Sequence, residues 1–335
     1  MTIVPDLGRD TQPLGEQDES PVEVVVTERI EVADRVVEFA LQPVDDEQAW
    51  RRYPAGSHID LLLPNGEMRQ YSLVSDHAAG APLRFAVLKA DDSRGGSRLL
   101  HERLRPGHRL RVGAVKNTFA LDETARRSVL IAGGIGITPL VSMARRLGRL
   151  GREVEVHYRA RTAERAAYLG ELQDAVGRDH VHLVTGGDRN DGRFDPVEIA
   201  RSAPGATVYV CGPESFMEFV RRGALAAGVA EDRIREEHFK HEVLVGGPPF
   251  SLTAARSGVT VTVGSDEVAS DVLRDAGVFV PTACGQGVCG TCVVRVLDGI
   301  PDHRDIYLSP AQKRAGDRMT LCCSRALTES LTVDI

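Results

Sequence analysis

Cysteine spacing constrains this chain more than any other feature. ACGQGVCGTC sets Cys284-x4-Cys289-x2-Cys292, and a further thiol pair, Cys322 and Cys323, follows about 30 residues on. Structural zinc usually draws on two CxxC knuckles, and only one is present. The spacing is instead the plant-type [2Fe–2S] pattern. Gly285, Gly287 and Gly290 supply the backbone freedom to wrap closely round a compact cluster. Amides turned inward by such a loop hydrogen-bond the sulfurs and tune the potential. By spacing alone the fourth ligand is either Cys322 or Cys323.

The flanking residues fit a small domain built round that loop. SGVTVTVG alternates with period two, and EVASDVLRDAG has helical spacing ended by Gly277. TCVVRVLDG reads as a strand leaving the loop, and LTVDI as a closing strand. LCCSRA resembles the ferredoxin-type ending C-x-S-R. That resemblance selects Cys322 and leaves Cys323 as a small neighbouring thiol.

The middle of the chain reads as a nucleotide-binding unit. RRSVLIAGGIGITPLVSMARRLGRLG is an apolar strand, a glycine-rich turn and an amphipathic helix. Gly133, Gly134 and Gly136 let backbone approach a pyrophosphate, and the helix start supplies N–H groups and a positive dipole end. Then follow a second strand (EVEVHYRA), a helix (ERAAYLGELQDAV), a third strand (HVHLVTGG), the helix VEIARSA and a fourth strand (TVYVCGP). Strands alternating with helices predict a parallel sheet with ligands at the strand C-termini. Cys211 falls at that edge. A buried structural thiol is the general expectation for such a cysteine, but its place at a strand end beside a cofactor turn points to the nicotinamide.

Residues 22–120 hold short alternating strands: VEVVVTERIEVADRVVEFALQP, SHIDLLLP, RQYSLVSD, LRFAVLKA and RLRVG, with turn signals such as PNG. They predict a small antiparallel barrel. Gly95, Gly96 and Ser97 precede a short helix, a second helix start suited to phosphate. Taken alone, Arg69 and Tyr71 are equally well ordinary strand residues.

At 335 residues, about 150 per domain argues for two domains, and the motifs for three. The formal net charge of −7 removes the footprint of a nucleic-acid binder. No stretch of about 18 apolar residues predicts a membrane span. The opening MTIVPDLGRDTQPLGEQDESP has neither the basic start nor the apolar run of a signal peptide and reads as disordered. A cytoplasmic protein, in a compartment where disulfides are rare, is expected.

RQYSL at 69–73, GGIGITP at 133–139, YVCGP at 209–213, EEHF at 236–239 and CGQGVCGTC at 284–292 occur in one order. Together they resemble the phthalate dioxygenase reductase family, within the wider ferredoxin–NADP reductase superfamily, over about residues 22–335. The resemblance implies a multidomain fold: an antiparallel β-barrel for flavin, an α/β parallel-sheet nucleotide-binding domain and an α+β ferredoxin domain of β-grasp type. The expected boundaries are a disordered segment 1–21, an FMN barrel 22–122, an NAD(P) domain 123–240, a linker 241–250 and the [2Fe–2S] domain 251–335. HFKHEVLVGGPPFS, residues 238–251, suits a boundary that few contacts cross.

The same resemblance implies roles. Arg69 would bind the flavin phosphate, Tyr71 pack on the isoalloxazine and Ser72 hydrogen-bond its N5, with Leu73 completing the motif. Gly95, Gly96 and Ser97 would cradle the FMN phosphate. Gly134, Gly136 and Thr138 would line the dinucleotide site, and Cys211, Gly212 and Pro213 lie by the nicotinamide. Glu237 and Phe239 match the family's E-x-F near the flavin. Cys284, Cys289, Cys292 and Cys322 would ligate the cluster. Gly285 departs from the family, where a glutamate is common after the first cysteine; it should adjust the cluster's surroundings without abolishing binding.

The order of parts sets the expected chemistry. A nicotinamide gives up two electrons together and an iron–sulfur cluster accepts one, so a flavin must stand between them. No catalytic acid, base or nucleophile is required. Electrons would leave for a separate terminal oxygenase, by resemblance a Rieske-type enzyme acting on an aromatic compound, with a cytochrome P450 as the alternative acceptor. A non-enzymatic iron–sulfur carrier and a simple flavin reductase are the other classes; the intact RQYSL and GGIGITP argue against the first, the appended cluster domain against the second. Arg159 and Arg161, after the second strand of the nucleotide unit, suit a 2′-phosphate. An arginine also stands there in NADH-using relatives, so NADH is expected and NADPH is the alternative. A monomer is expected.

Overall fold

The computed structural model describes residues 21–45, 53–63, 68–75, 81–90, 95–186, 194–240, 243–244 and 246–335. The expected N-terminal disordered segment lies, but for Pro21, outside them.

The first module is a barrel of β1 (Val22–Ala33), β2 (Val36–Pro43), β3 (His58–Leu62), β4 (Met68–Ser72), β5 (Leu83–Leu88) and β6 (Arg109–Lys116), with α1 (Gly96–Arg103) between the last two strands. Its strands run β4-β3-β6-β1-β2-β5, all antiparallel, and a bridge from Leu73 to Phe85 ties the end of β4 to β5 and closes the sheet. The alternation read in the sequence fills the inside with Val24, Phe39, Ile59, Leu61 and Phe85.

The second module is α/β: β7 (Arg127–Gly133), α2 (Ile137–Arg149), β8 (Glu153–Ala160), α3 (Leu169–Val176), β9 (Val181–Thr185), α4 (Pro196–Ser202), β10 (Thr207–Cys211), α5 (Glu214–Ala226) and β11 (Ile234–Glu237). The parallel order β11-β10-β7-β8-β9 reverses direction between β7 and β10, a topological switch point. The helix expected over ERAAYLGELQDAV is shorter than its pattern. Tyr168 takes φ 63°, which breaks the helix before Leu169. The bend carries its ring inward, where its hydroxyl donates to Glu38 Oε2 of the barrel at 2.8 Å.

The third module comprises β12 (Phe250–Ala254), β13 (Val259–Val263), α6 (Ala269–Asp275), β14 (Val293–Asp298), β15 (Pro301–Asp302), α7 (Pro310–Ala315), β16 (Arg318–Thr320), β17 (Arg325–Ala326) and β18 (Ser330–Val333). Its main sheet runs β13-β12-β18-β14-β16 over a core of its own, with α6 packed on it. A capping box from Ser309 and Gln312 starts α7.

The first two modules share one core: Val36, Ala55, Val74 and Ala86 pack with Ile137, Leu140, Met143 and Leu147. The Gly56 amide donates to Ser142 Oγ at 3.1 Å, and Arg145 to the Val74 carbonyl at 3.0 Å. The third module is held differently. Arg304 donates to the carbonyls of Leu244 and Gly246, and Arg325 to that of Pro248. The glycine-proline stretch is therefore strapped to the third module, where the sequence suggests few contacts. No helix among the described residues is long and apolar enough to cross a membrane.

Candidate functional site

A cavity of about 1750 Å³ lies where the three modules meet. Along its barrel side, β4 presents Arg69, Tyr71 and Ser72. A Cβ on Gly96 would come within 3.3 Å of Arg69 Nε, so the guanidinium stem lies over the start of α1, with Ser97 beside it on the cavity wall. A cation beside the N-terminal end of a helix fits a phosphate. Gly95, at φ 106°, makes the turn into α1. The Tyr71 ring sits 5.0 Å from that of Phe85, and burial pushes its phenol well above the ordinary value, so it stays neutral. Leu73 is buried in the barrel and does not line the cavity.

The Ser72 hydroxyl crosses to the second module and donates to Glu237 Oε2 at 3.2 Å. Burial pushes the Glu237 carboxyl up to about 8, against the lowering pull of that hydrogen bond. Near neutral pH it is therefore a protonated acid on the cavity wall.

The switch point forms the nucleotide wall. Cys211 pairs in register with Ala132, which brings the turn Gly133–Gly136 against Gly212 and Pro213. A Cβ on Gly136 would stand 2.3 Å from the Cys211 carbonyl oxygen, and one on Gly212 would stand 3.0 Å from Gly133 Cα. Only glycine permits that approach, and it leaves the start of α2 open to a pyrophosphate. Gly134, Gly136, Thr138, Gly212, Pro213, Glu237 and Phe239 all line the cavity. The Cys211 side chain does not: it is fully buried, its thiol raised by burial and then by Glu237.

The cluster loop brings together the thiols expected from the spacing. Cys284 Sγ is within hydrogen-bonding reach of Cys289 and Cys322, and Cys292 of Cys322. The Gln286 amide points at Cys284 Sγ and the Gly287 amide at Cys322 Sγ, each at 3.3 Å. Sulfurs gathered this closely, each met by a backbone donor, suit thiolates round a cationic centre. Cys323 Sγ lies 3.1 Å from Thr320 Oγ1 and also within hydrogen-bonding reach of Cys322, and a Cβ on Gly287 would meet it at 2.5 Å. A Cβ on Gly290 would strike the Tyr307 ring at 2.2 Å, and one on Gly287 would meet Asp305 Cα at 2.8 Å. Cys284 borders the same cavity as Tyr71 and Ser72.

Other residues reach the cavity with no signal in the linear sequence. Gln286, Val288, Ile306 and Tyr307 come from the third module. His58 comes from β3, with Gln70 Nε2 3.2 Å from its ring nitrogen and 2.7 Å from Asp60. Burial, opposed by Asp60 and aided by Lys116, pushes that imidazole down to about 4, so it is neutral. Period-two patterning sets the face His58 takes, not what that face meets, and the other four lie outside the strands.

Two family models match. Residues 252–327 match the 2Fe-2S iron-sulfur cluster binding domain, and residues 109–234 match the N-terminal domain of dimethylamine monooxygenase subunit DmmA-like proteins. A vanillate O-demethylase oxidoreductase from a Pseudomonas species is 41% identical over 285 residues, covering 84% of this chain and 90% of its own. The structure of phthalate dioxygenase reductase superposes with a TM-score of 0.71 at 30% identity, covering 95% of this chain and 99% of its own. An intact type IV self-sufficient cytochrome P450 monooxygenase superposes with a TM-score of 0.81 at 35% identity; 94% of this chain is covered and 41% of that longer one. Sequence, module order and fold agree: the chain belongs to the phthalate dioxygenase reductase family.

Proposed function

We propose that this chain is the NAD(P)H-dependent reductase component of an oxygenase system, passing electrons singly through its [2Fe–2S] cluster to a separate terminal oxygenase. The observation that carries this reading is the cavity bordered at once by the dinucleotide turn, the flavin strand and Cys284. Bound there, nicotinamide, flavin and cluster supply donation of an electron pair, its separation into single electrons and their exit.

The chain's own residues bind and orient. Arg69 and the start of α1 hold a flavin phosphate, and Tyr71 offers an uncharged ring for stacking. Gly133–Gly136 and Gly212 let backbone amides close on the dinucleotide. Ser72 and Glu237 hold a proton at the wall where flavin and nicotinamide meet, and Phe239 closes the cavity beside them. Cys284, Cys289, Cys292 and Cys322 hold the cluster. Arg159 and Arg161 flank the far end of the nucleotide wall; NADH is the proposed donor.

FMN is the proposed flavin, because Gly95, Gly96 and Ser97 make a compact phosphate turn at the start of α1. Heat release and chromatography should yield FMN; recovery of mainly FAD would sink that assignment. Anaerobic NADH should bleach the flavin and raise the rhombic paramagnetic signal of a reduced [2Fe–2S] centre. Bleaching without that signal would remove the cluster from the path.

The acceptor proposed is a Rieske-type oxygenase acting on an aromatic compound, as the name of the vanillate O-demethylase relative suggests. A cytochrome P450 is the second reading, favoured by the match of this chain to 41% of an intact self-sufficient cytochrome P450 monooxygenase. Reduction rates toward purified acceptors of both kinds separate the two.

A further inference from the structure

On the sheet of the second module, away from the cavity, two strands and the turn before the second gather four metal-competent side chains. Glu155 and His157 alternate along β8, His182 lies on β9, and His180 ends the short 3-10 turn before it. The parallel register sets His157 directly opposite His182. Their rings stack with centroids 4.7 Å apart, 20° from parallel. The Glu155 carboxylate spans the strands, with His180 Nδ1 at 2.8 Å from one oxygen and His182 Nε2 at 2.9 Å from the other. One ligand atom from each of Glu155, His157 and His182 lies within 4.8 Å of the others. None of the three lines the cavity.

We propose that Glu155, His157 and His182 form a binding site for a divalent, imidazole-preferring transition metal such as zinc or nickel, separate from the redox centre. The donor set is two imidazoles and one carboxylate, which leaves a fourth position to water. Metal–ligand bonds of about 2.0–2.2 Å set the donor atoms roughly 3.4 Å apart, so from separations of up to 4.8 Å the side chains must turn inward, and these are side chains at a half-open surface. The metal takes the place of the Glu155–His182 hydrogen bond, and any proton held there is released to solvent. Both imidazoles coordinate in the neutral form. Burial, with His182 beside it, already pushes His157 down to about 4. Burial opposes ionisation of Glu155, but hydrogen bonds from His180 and His182 prevail and hold its carboxyl below the ordinary range. His180 is the positioning residue, fixing the carboxylate from the side away from the metal. The opposite face of β8, with Val156 and Tyr158, is buried, so the strand pair is a rigid platform.

The test is isothermal titration of tag-free holoprotein with Ni²⁺ and, separately, Zn²⁺, following flavin and cluster absorbance throughout. One equivalent should bind per chain with both spectra unchanged. The double variant His157→Ala/His182→Ala should lose that equivalent while keeping cofactor content and the NADH–ferricyanide rate. His180→Asn should retain the stoichiometry with affinity lowered roughly 10–100-fold. Absence of binding overturns the site, as does an unchanged equivalent in the double variant. Loss of cluster absorbance in step with binding assigns the metal to the cysteines instead and also overturns it.

Discussion

The proposed cluster ligands were legible because their spacing is local: three of the four cysteines sit on one loop whose glycines all take positive φ, Gly287 and Gly290 being crowded as well. The choice between Cys322 and Cys323 depended on resemblance, and the geometry gives it a physical form. Cys322 Sγ accepts from the Gly287 amide and lies in reach of Cys284 and Cys292, while Cys323 reaches Cys322 and Thr320 but not Cys284. Cys322→Ser should abolish or distort the paramagnetic signal of the reduced cluster, and Cys323→Ser should leave it nearly intact; the opposite pattern would reverse the assignment. Glu237 was legible only as a motif residue, since nothing in EEHF announces a buried acid. In the folded chain its carboxyl holds a proton to about pH 8, whereas 4.5 is the unperturbed value. Between those limits the folded state binds the extra proton, so this group makes stability fall as pH rises. Glu237→Gln should therefore gain on the parent protein by roughly 1.4 kcal/mol per pH unit across that window. Urea melts at pH 5 and pH 8 measure it, and an equal difference at both would exclude ionisation as the cause.

At the scale of elements, strands and the glycine turn read well because their periods and turn residues are short-range. The helix before β9 read badly: apolar spacing continued through Tyr168, but an interdomain hydrogen bond to Glu38 outweighs one turn of helix. His58 and Tyr307 were invisible for a related reason, since each reaches the cavity only through tertiary packing. The turn after β7 carries its own prediction. Gly136 has an ordinary helical φ of −61°, so substitution there costs space and no backbone strain. In Gly136→Ala the new methyl would press on the Cys211 carbonyl, forcing β7 and β10 apart at the switch point. Overpacking of this kind typically costs about 1–3 kcal/mol. The Michaelis constant for NADH should rise at least tenfold with flavin content unchanged. A variant with unaltered nucleotide kinetics would show that this close approach does not shape the site.

For the whole molecule, three modules follow from the sequence, but not how they join. The barrel and the nucleotide unit share a core, whereas the third module has its own and is held through a strap by Arg304 and Arg325. The strap begins before Pro248, so a chain ending at Lys240 is the cleaner dissection. It should fold, retain flavin and reduce ferricyanide with NADH, yet fail to reduce a one-electron protein acceptor at a useful rate. Full activity toward such an acceptor would make the flavin the exit point. The shared core has a further meaning for recombination between relatives. Phe119, just before the nucleotide unit, packs against Tyr209 in a T-shaped pair and accepts the close approach of Gly56 at its carbonyl. A crossover near residue 122 would set one parent's barrel against another's α2 and scramble that packing. A crossover at 240 exchanges the electron outlet whole, so hybrid reductases that serve a new acceptor should arise there and not at the first boundary.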